Sequence, residues 1–316
     1  MFVGVLDAAG TVVHRRVIGS AGLSGEELLA ALEAELRLAI ETRPGVESIG
    51  LGVPCTIDRE RGVCVSAVNL PLRDVPVREI VAARLGLPTF VDNDANAAVI
   101  AEHRRGVARG ARNVVMLTIG TGIGGGLIVD GRPYRGSSGA GAELGHIVVD
   151  LNGPPCQGSC PNHGCIESIA SGTALALEGE RAGKLAPDSA LGIALAEGGL
   201  IDGRLVTELG LGGDRVATEV LATIGRRLGV ALSGLANIFD PDVIVIGGGV
   251  IAAGELLLGP AREEFRARAL IPQNRVPIEA AAFGPDAGMV GAAMLAADEL
   301  AAATMAGTGS RGGAGG

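Results

Sequence analysis

The chain has 316 residues, of which 47% are hydrophobic and 19% are charged, and this composition excludes an intrinsically disordered protein. The length is typical of two domains rather than one. The net charge is −9, and the aromatic residues are five Phe and one Tyr, with no Trp. A nucleic-acid-binding protein needs a basic face or aromatic stacking platforms, so we do not expect nucleic acid as a partner.

No segment directs the chain to a membrane or out of the cell. The first residues lack the basic stretch and apolar run of a signal peptide. Apolar runs such as 243–246 are far shorter than the roughly 20 residues of a membrane-spanning helix. We therefore expect a cytoplasmic protein that does not bind membranes. Five cysteines, three of them between 156 and 165, favour metal ligands over a disulfide framework.

Hydrophobic periodicity predicts alternating helices and strands, as in an α/β protein. In chain order we predict a helix over 26–41, a strand over 48–53, a helix over 77–85, a strand over 89–91 and a helix over 95–105. A strand over 114–119 then enters a Gly-rich turn over 120–126, and 127–129 pairs back. A long helix over 216–239 and a strand over 242–246 follow, before a Gly turn over 247–249. Residues 304–316 offer little to a core, so we expect a disordered tail.

The two Gly turns are candidate nucleotide contacts. The turn over 120–126 has no following Lys-Ser or Lys-Thr, which excludes a Walker A loop, but its backbone N–H groups and the Thr121 hydroxyl can approach an anion. A tight β-hairpin explains it equally well. The turn over 247–249 follows a strand, where α/β sheets bind ligands. Close packing of helix on strand is the alternative there.

Three thiols within ten residues, Cys156, Cys160 and Cys165, need one more donor to complete a tetrahedral zinc site. His146 and His163 are both near in sequence. We favour His146, because the chain between it and Cys156 is long enough to fold back. Zinc would then fix the shape of the loop, and three merely buried, reduced cysteines are the alternative.

The segment 92–96, Asp-Asn-Asp-Ala-Asn, follows a short strand and opens a helix. Helix capping explains one such polar residue. Four carboxylates or amides in five positions exceed what a cap requires, so one carboxylate is a candidate general base.

These motifs together resemble the ROK family of sugar kinases, and within it the bacterial glucokinases. The resemblance runs from the first residues to about 303 and rests on five motifs in order, namely residues 93–96, 120–126, Glu-Leu-Gly-His at 143–146, the Cys loop over 156–167, and 240–249. It implies an actin-like ATPase (ribonuclease H-like) fold of two α/β domains around a cleft. It also implies ATP with Mg²⁺, a structural Zn²⁺, a sugar substrate, and a homodimer or homotetramer.

The resemblance assigns roles to individual positions. Asp94 becomes the general base toward the sugar 6-hydroxyl and contacts the sugar. The other ligands of the sugar hydroxyls are Asn93, Glu143, His146 and Glu167. The zinc ligands are His146, Cys156, Cys160 and Cys165. The phosphate-contacting turn contains Gly120, Thr121 and Gly122, and the adenosine-contacting turn contains Gly247, Gly248 and Gly249.

The implied domains are a small one over 1–108, completed by a C-terminal helix over 288–303, and a large one over 109–287 that carries the zinc loop at 143–167. The implied activity is ATP-dependent phosphorylation of D-glucose to glucose 6-phosphate. A kinase for another hexose or an N-acetylhexosamine is the alternative within the same chemistry. A catalytically silent sugar-binding protein or a regulator is the alternative of another class.

The sequence departs from the family pattern at three places. Three residues, not one, separate Cys156 from Cys160. The sugar-side loop, Gly-x-Pro-Gly in the family, reads Gly-Val-Pro-Cys at 52–55, and the Cys55 side chain in place of glycine could alter sugar preference. The segment 7–11 resembles the family's phosphate turn, Asp-x-Gly-Gly-Thr, but it lies about forty residues before Gly52, as the family's next hairpin does. We therefore expect an ordinary hairpin there, with the first strand and the phosphate turn missing from this sequence.

Overall fold

The computed structural model describes residues 1–67 and 70–309, which divide into two compact units. The first unit contains residues 1–105, 135–141 and the chain from 286 onward, and the second contains 106–134 and 142–285. Residues 135–141 thus belong with the first unit, although the predicted division at 108 assigned them to the large domain.

The first unit is an α/β assembly that contains the five helices and strands predicted for it, together with further strands that were not predicted. Its strands and helices are β1 (Phe2–Leu6), β2 (Val12–Val17), α1 (Gly25–Thr42), β3 (Ile49–Val53), β4 (Thr56–Asp58), β5 (Val63–Ser66), β6 (Arg73–Val75), α2 (Val77–Leu85), β7 (Thr89–Asn93), α3 (Asp94–Arg105) and α10 (Ala287–Gly309). β1 pairs with β2, β3 with β7 in parallel, and β4, β5 and β6 form a third sheet. Ser24 and Glu27 form a reciprocal capping box at the start of α1.

The turn between β1 and β2 is an ordinary hairpin turn, as the sequence spacing predicts. Gly10 N donates to Asp7 O at 2.7 Å, and Thr11 N donates to Asp7 Oδ1 at 2.8 Å. Arg105 donates a hydrogen bond to the carbonyl of Ala9. The Asp7 carboxylate therefore closes the hairpin through a local backbone contact.

Helix α10 packs against α3, β3 and β7. Val290, Leu295 and Ala296 are buried. By length and composition alone, Gly284–Met305 could also cross a membrane, but these contacts make it a core helix of the first unit. The helix continues to Gly309, so the expected disorder from 304 is wrong for 304–309. Ala is the best helix former, and the three alanines at 301–303 lead the helix into 304–309. Residues 310–316 lie outside the described part of the chain.

The second unit surrounds one five-stranded sheet. Its elements are β8 (Val114–Ile119), β9 (Ile123–Val129), β10 (Arg132–Tyr134), α4 (Ile166–Ala170), α5 (Gly172–Leu185), α6 (Ala190–Ala196), α7 (Gly203–Leu211), α8 (Arg215–Phe239), β11 (Val243–Gly247), α9 (Glu255–Arg268) and β12 (Ile278–Ala280). The strand order is β10-β9-β8-β11-β12, with β8, β11 and β12 parallel. The central strands and one face of α8 are buried.

The Gly-rich segment is shorter as a turn than the sequence predicts. β9 begins at Ile123, so residues 124–126 lie within a strand and only 120–122 form the turn. Close packing explains Gly125, since a Cβ there would lie 2.1 Å from the Ala142 carbonyl oxygen. Gly125 therefore gives space to a neighbouring segment.

Candidate functional site

In the first unit, the parallel strands β3 and β7 end side by side. Gly52 is in register with Asp92, and Val53 with Asn93. Asn93 Oδ1 accepts from the backbone N of Ala95 and Asn96 at 2.9 and 3.2 Å, which caps α3. Asn93 Nδ2 donates to Cys55 O at 3.3 Å. Asn93 therefore fixes both the start of α3 and the loop that follows β3.

Asp92 is a buried carboxylate saturated by donors, and its side chain is 2% exposed. Arg135 donates to Oδ2 from Nε at 2.7 Å and forms an ion pair through Nη2 at 2.6 Å. Asn96 Nδ2 and Asn93 N donate to Oδ1 at 3.1 and 2.9 Å. Arg59 Nε lies 3.7 Å away. Both carboxylate oxygens of Asp92 therefore accept from groups that hold the turn, and neither is left to accept a proton from a substrate.

Asp94, two residues further, has the opposite environment. Its Oδ1 accepts from Ala95 N at 3.0 Å, and no Lys or Arg in the described chain forms an ion pair with it. Burial raises the pKa of Asp94 above its ordinary value, while the hydrogen bonds from Ala95 and its own backbone act the other way. A carboxylate without a cation and with a raised pKa has the properties of a general base.

Cys55, the departure in the loop after β3, points into the core of the first unit. It is 5% exposed and packs in a hydrophobic cluster with Ile57, Cys64 and Val91. Burial, followed by the hydrogen bond with the Cys64 thiol, raises the pKa of Cys55. The loop therefore accommodates the larger side chain inward, while its carbonyl still accepts from Asn93.

In the second unit, both predicted Gly turns lie at one edge of the sheet. β8 ends at Ile119 before the turn over 120–122, and β11 ends at Gly247, in register with Thr118. The carboxyl edge of parallel strands is where open α/β sheets bind ligands. After Gly247 the chain enters a 3₁₀ helix, Gly249–Ala253, before α9 begins.

The predicted metal ligands come together in this unit. One donor atom each from His146, Cys156, Cys160 and Cys165 lies within 4.8 Å of the others. Cys156 Sγ is 3.5 Å from His146 Nδ1, and Cys160 Sγ is 4.0 Å from Cys165 Sγ. His163 is exposed and outside the cluster.

These distances fit Zn²⁺. In a tetrahedral site with Zn–S of about 2.3 Å and Zn–N of about 2.0 Å, neighbouring donor atoms lie about 3.5–3.8 Å apart. The Cys3His donor set is that of a closed structural site. With His146 facing the cluster through Nδ1, its Nε2 is available to a second partner.

The remaining predicted sugar ligands lie around this cluster. A 3₁₀ helix, Leu144–His146, separates Glu143 from His146 by one turn. Glu167, in α4, accepts from Ile123 N through Oε2 at 2.7 Å, and its Oε1 lies 3.8 Å from Cys156 Sγ. A Cβ on Gly122 would be 2.2 Å from Glu167 Oε2, so a larger residue there would displace the Glu167 carboxylate. Glu167 thus joins the turn to the metal cluster.

The sequence analysis missed two residues that the structure places at the site. Arg135 carries no motif signal, since its partner Asp92 is 43 residues away. Gln157 lies in the widened spacing between Cys156 and Cys160, and its Nε2 donates to Ser171 Oγ at 3.1 Å and Thr121 O at 3.3 Å. The unusual spacing was the one signal that could have directed attention to Gln157.

Comparison with known proteins agrees with this fold. The family model described as "ROK family" matches residues 1–299. The glucokinase of Thermotoga maritima is 34% identical over 302 residues, which is 94% of each chain. The crystal structure of a ROK family glucokinase from Streptomyces griseus, in complex with glucose and AMPPNP, matches with a TM-score of 0.84 and 35% identity. That match covers 93% of this chain and 95% of that one.

The fold is the actin-like ATPase fold of sugar kinases, and the chain belongs to the ROK family. Relatives of a second kind also match. A ROK family transcriptional regulator, a homologue of the E. coli MLC protein, has a TM-score of 0.80 and 27% identity, over 92% of this chain and 73% of that one. The glucokinase relatives favour sugar kinase activity, and the regulators make the substrate a separate question.

Proposed function

We propose that the chain is an ATP-dependent glucokinase that converts D-glucose to glucose 6-phosphate. The observation that carries this proposal is the pair of carboxylates at the end of β7. Asp92 is neutralised by Arg135, whereas Asp94 has no ion pair in the described chain and has a raised pKa. Environments that separate two carboxylates in this way are typical of a structural acid beside a catalytic base.

In the proposed step, Asp94 accepts the proton of the sugar 6-hydroxyl as O6 bonds to the γ-phosphorus of ATP and the bond to the β-phosphate oxygen breaks, releasing ADP. Asn93, Glu143, His146 and Glu167 hold the sugar hydroxyls. Phosphoryl transfer depends mainly on positioning and charge stabilisation, so one base and aligned donors are sufficient.

The Gly120–Gly122 turn is proposed to contact the nucleotide phosphates, with the Thr121 hydroxyl beside it. The turn over Gly247–Gly249 is proposed to contact the adenosine. Mg²⁺ bound to the nucleotide neutralises charge on the β- and γ-phosphates. His146, Cys156, Cys160 and Cys165 would hold Zn²⁺, which fixes the loop that presents His146 Nε2 and Glu167.

Asp94→Asn tests the assignment of the base. General-base catalysis contributes about 10²–10⁴-fold, so kcat should fall by that factor while glucose affinity, measured by calorimetry, stays unchanged. Asp298→Asn is the matched control, since Asp298 is an exposed carboxylate of the same unit. A normal kcat for Asp94→Asn would show that Asp94 is not the base.

A coupled assay across glucose, mannose, fructose and N-acetylglucosamine tests the substrate. We propose glucose because the matched glucokinases share the family and about 34% identity with this chain. A higher kcat/KM for another sugar would replace glucose in the proposal. Light scattering of the purified protein tests the further proposal of a homodimer or homotetramer.

A silent sugar-binding or regulatory protein is the second candidate. The hairpin at 7–11 favours it, because Asp7 is engaged by Thr11 N rather than lying in a Gly-rich phosphate turn. Titration of AMPPNP into the chain, with and without Mg²⁺, separates the candidates. Binding of glucose without binding of AMPPNP would support the silent protein and contradict the kinase.

A further inference from the structure

The widened spacing in the metal loop brings one side chain to the proposed phosphate turn. Gln157 is the first of three residues between Cys156 and Cys160, and it is half-buried. Its Nε2 donates to the carbonyl of Thr121 at 3.3 Å and to Ser171 Oγ at 3.1 Å. The metal loop therefore touches both the turn after β8 and the start of α5.

Both of these partners are themselves held in place. Ser171 is fully buried, and its Oγ also accepts from Ala174 N at 3.2 Å, capping α5. The Thr121 carbonyl also accepts from Thr173 Oγ1 at 2.9 Å and from Thr173 N at 3.4 Å. Gly172 N donates to Gly120 O at 2.8 Å. The turn is thus anchored from α5 on one side and from the metal loop on the other.

These contacts determine the orientation of the peptide between Thr121 and Gly122. Gly120 and Thr121 are exposed. Gly120 N already donates to Gly122 O at 2.9 Å, so an anion at the turn would meet the N–H of Gly122 rather than that of Gly120. A donor that holds the Thr121 carbonyl on the protein side directs the N–H of the same peptide, that of Gly122, the opposite way. That N–H binds an anion only while it points away from the protein.

We propose that Gln157 is a positioning residue that fixes the 120–122 turn for nucleotide phosphate binding and links the turn to the metal loop. This inference rests on the proposed function, in which that turn contacts ATP. The three-residue spacing between Cys156 and Cys160 then has a structural consequence, because it places the Gln157 side chain within reach of the 120–122 turn. Loss of Gln157 should weaken nucleotide binding and leave the metal ligands and the sugar ligands in place.

Gln157→Ala and Gln157→Glu test the proposal. The first removes the side chain, and the second keeps its size but removes the donor. Two neutral hydrogen bonds of modest net strength are lost, so the Kd of AMPPNP with Mg²⁺ should rise about three- to tenfold in both variants. Ser159→Ala, an exposed position in the same loop, is the matched control and should leave this Kd unchanged.

Zinc content and glucose affinity separate positioning from simple loss of the loop. Both variants should keep the zinc content and the glucose Kd of the unsubstituted chain. An unchanged AMPPNP Kd would overturn the proposal. A fall in zinc content that matches the loss of nucleotide binding would also overturn it, since Gln157 would then act only by supporting the metal site.

Hydrogen exchange without nucleotide tests the turn independently of the proposed function. The amides of residues 120–123 should exchange faster in Gln157→Ala and Gln157→Glu than in Ser159→Ala. Equal exchange in all three variants would overturn the proposal. If the unsubstituted chain does not bind AMPPNP, the kinase proposal fails, and this exchange measurement still decides whether Gln157 holds the turn.

Discussion

Arg135→Ala is the substitution that most directly tests how the turn beside Asp94 is held. Arg135 donates to Asp92 from Nε at 2.7 Å and pairs with it through Nη2 at 2.6 Å. The Arg135 and Asp92 side chains are 15% and 2% exposed. The substitution leaves a buried carboxylate at the end of β7 without its main cation, while the Asn93 and Asn96 donors remain.

The magnitude follows from what remains around Asp92. Breaking a buried ion pair from one side costs about 3–5 kcal/mol when the remaining charge has no compensation. Arg59 Nε lies 3.7 Å from Asp92 Oδ2 and offers partial compensation, although it also pairs with Glu299. We therefore expect a loss of about 2–3 kcal/mol in the local stability of β7 and α3, somewhat below the cost without compensation.

Hydrogen exchange of the β7 and α3 amides is the appropriate assay, because a two-unit chain need not unfold in one step. A loss of about 2–3 kcal/mol corresponds to exchange about 30- to 150-fold faster in these elements. Arg104→Ala is the control. The Arg104 and Asp298 side chains are each 53% exposed, and exposed pairs contribute about 0–1 kcal/mol.

The double variant Asp92→Asn/Arg135→Ala separates charge from packing. Removing both charges leaves no uncompensated carboxylate, so the double variant should recover part of the stability lost in Arg135→Ala. If Arg135→Ala costs no more than Arg104→Ala, the ion pair does not hold the turn. If the double variant is less stable than Arg135→Ala, the cost does not come from the buried charge.

Three further predictions concern the site. Burial raises the folded-state pKa of Asp94, so the stability that its protonated form provides is complete below the ordinary value of 3.8 and is lost as the pH rises through the folded-state pKa. Asp94→Asn should therefore be more stable than the parent at pH 7 in urea unfolding, and a difference that does not shrink toward pH 3.5 would contradict this. The purified protein should contain about one equivalent of zinc by elemental analysis, and His146→Ala should lower it; less than about half an equivalent in the parent would contradict the site. Cys55→Gly should lower the melting temperature by removing a buried side chain. Because that side chain points into the core, the relative KM values for different sugars should stay unchanged, and a change in them would contradict the inward placement.

Local signals predicted much of the fold. The buried strand β8, the helix α2 and most of the long helix α8 lie where periodicity places them, because apolar spacing within one element is a property of neighbouring residues. The Cys/His cluster could also be predicted from the sequence, because Cys156, Cys160 and Cys165 lie within one loop. The choice of His146 over His163 came from chain geometry, and the structure places His146 with the thiols.

Other features depended on contacts between distant residues. The glycines at 124–126 look like a turn in sequence, but they lie in strand β9, paired with β8, and the approach of the Ala142 carbonyl leaves no room for a Cβ on Gly125. Residues 135–141 belong to the first unit, where Arg135 pairs with Asp92. No local sequence pattern predicts that pairing. The helix past 303 is an error of the opposite kind, because it came from a local property. The prediction gave the Gly-rich end more weight than the helix propensity of the alanines at 301–303.

The sequence by itself therefore determined the family, the elements with clear hydrophobic periodicity and the identity of the chemical groups. Which of the carboxylates Asp92 and Asp94 has an ion pair in the described chain, and which side chain reaches the 120–122 turn, were decided only by the tertiary structure. The physical reason is that an ion pair or a hydrogen bond between distant segments sets the environment of a group, and composition and spacing describe only the group itself.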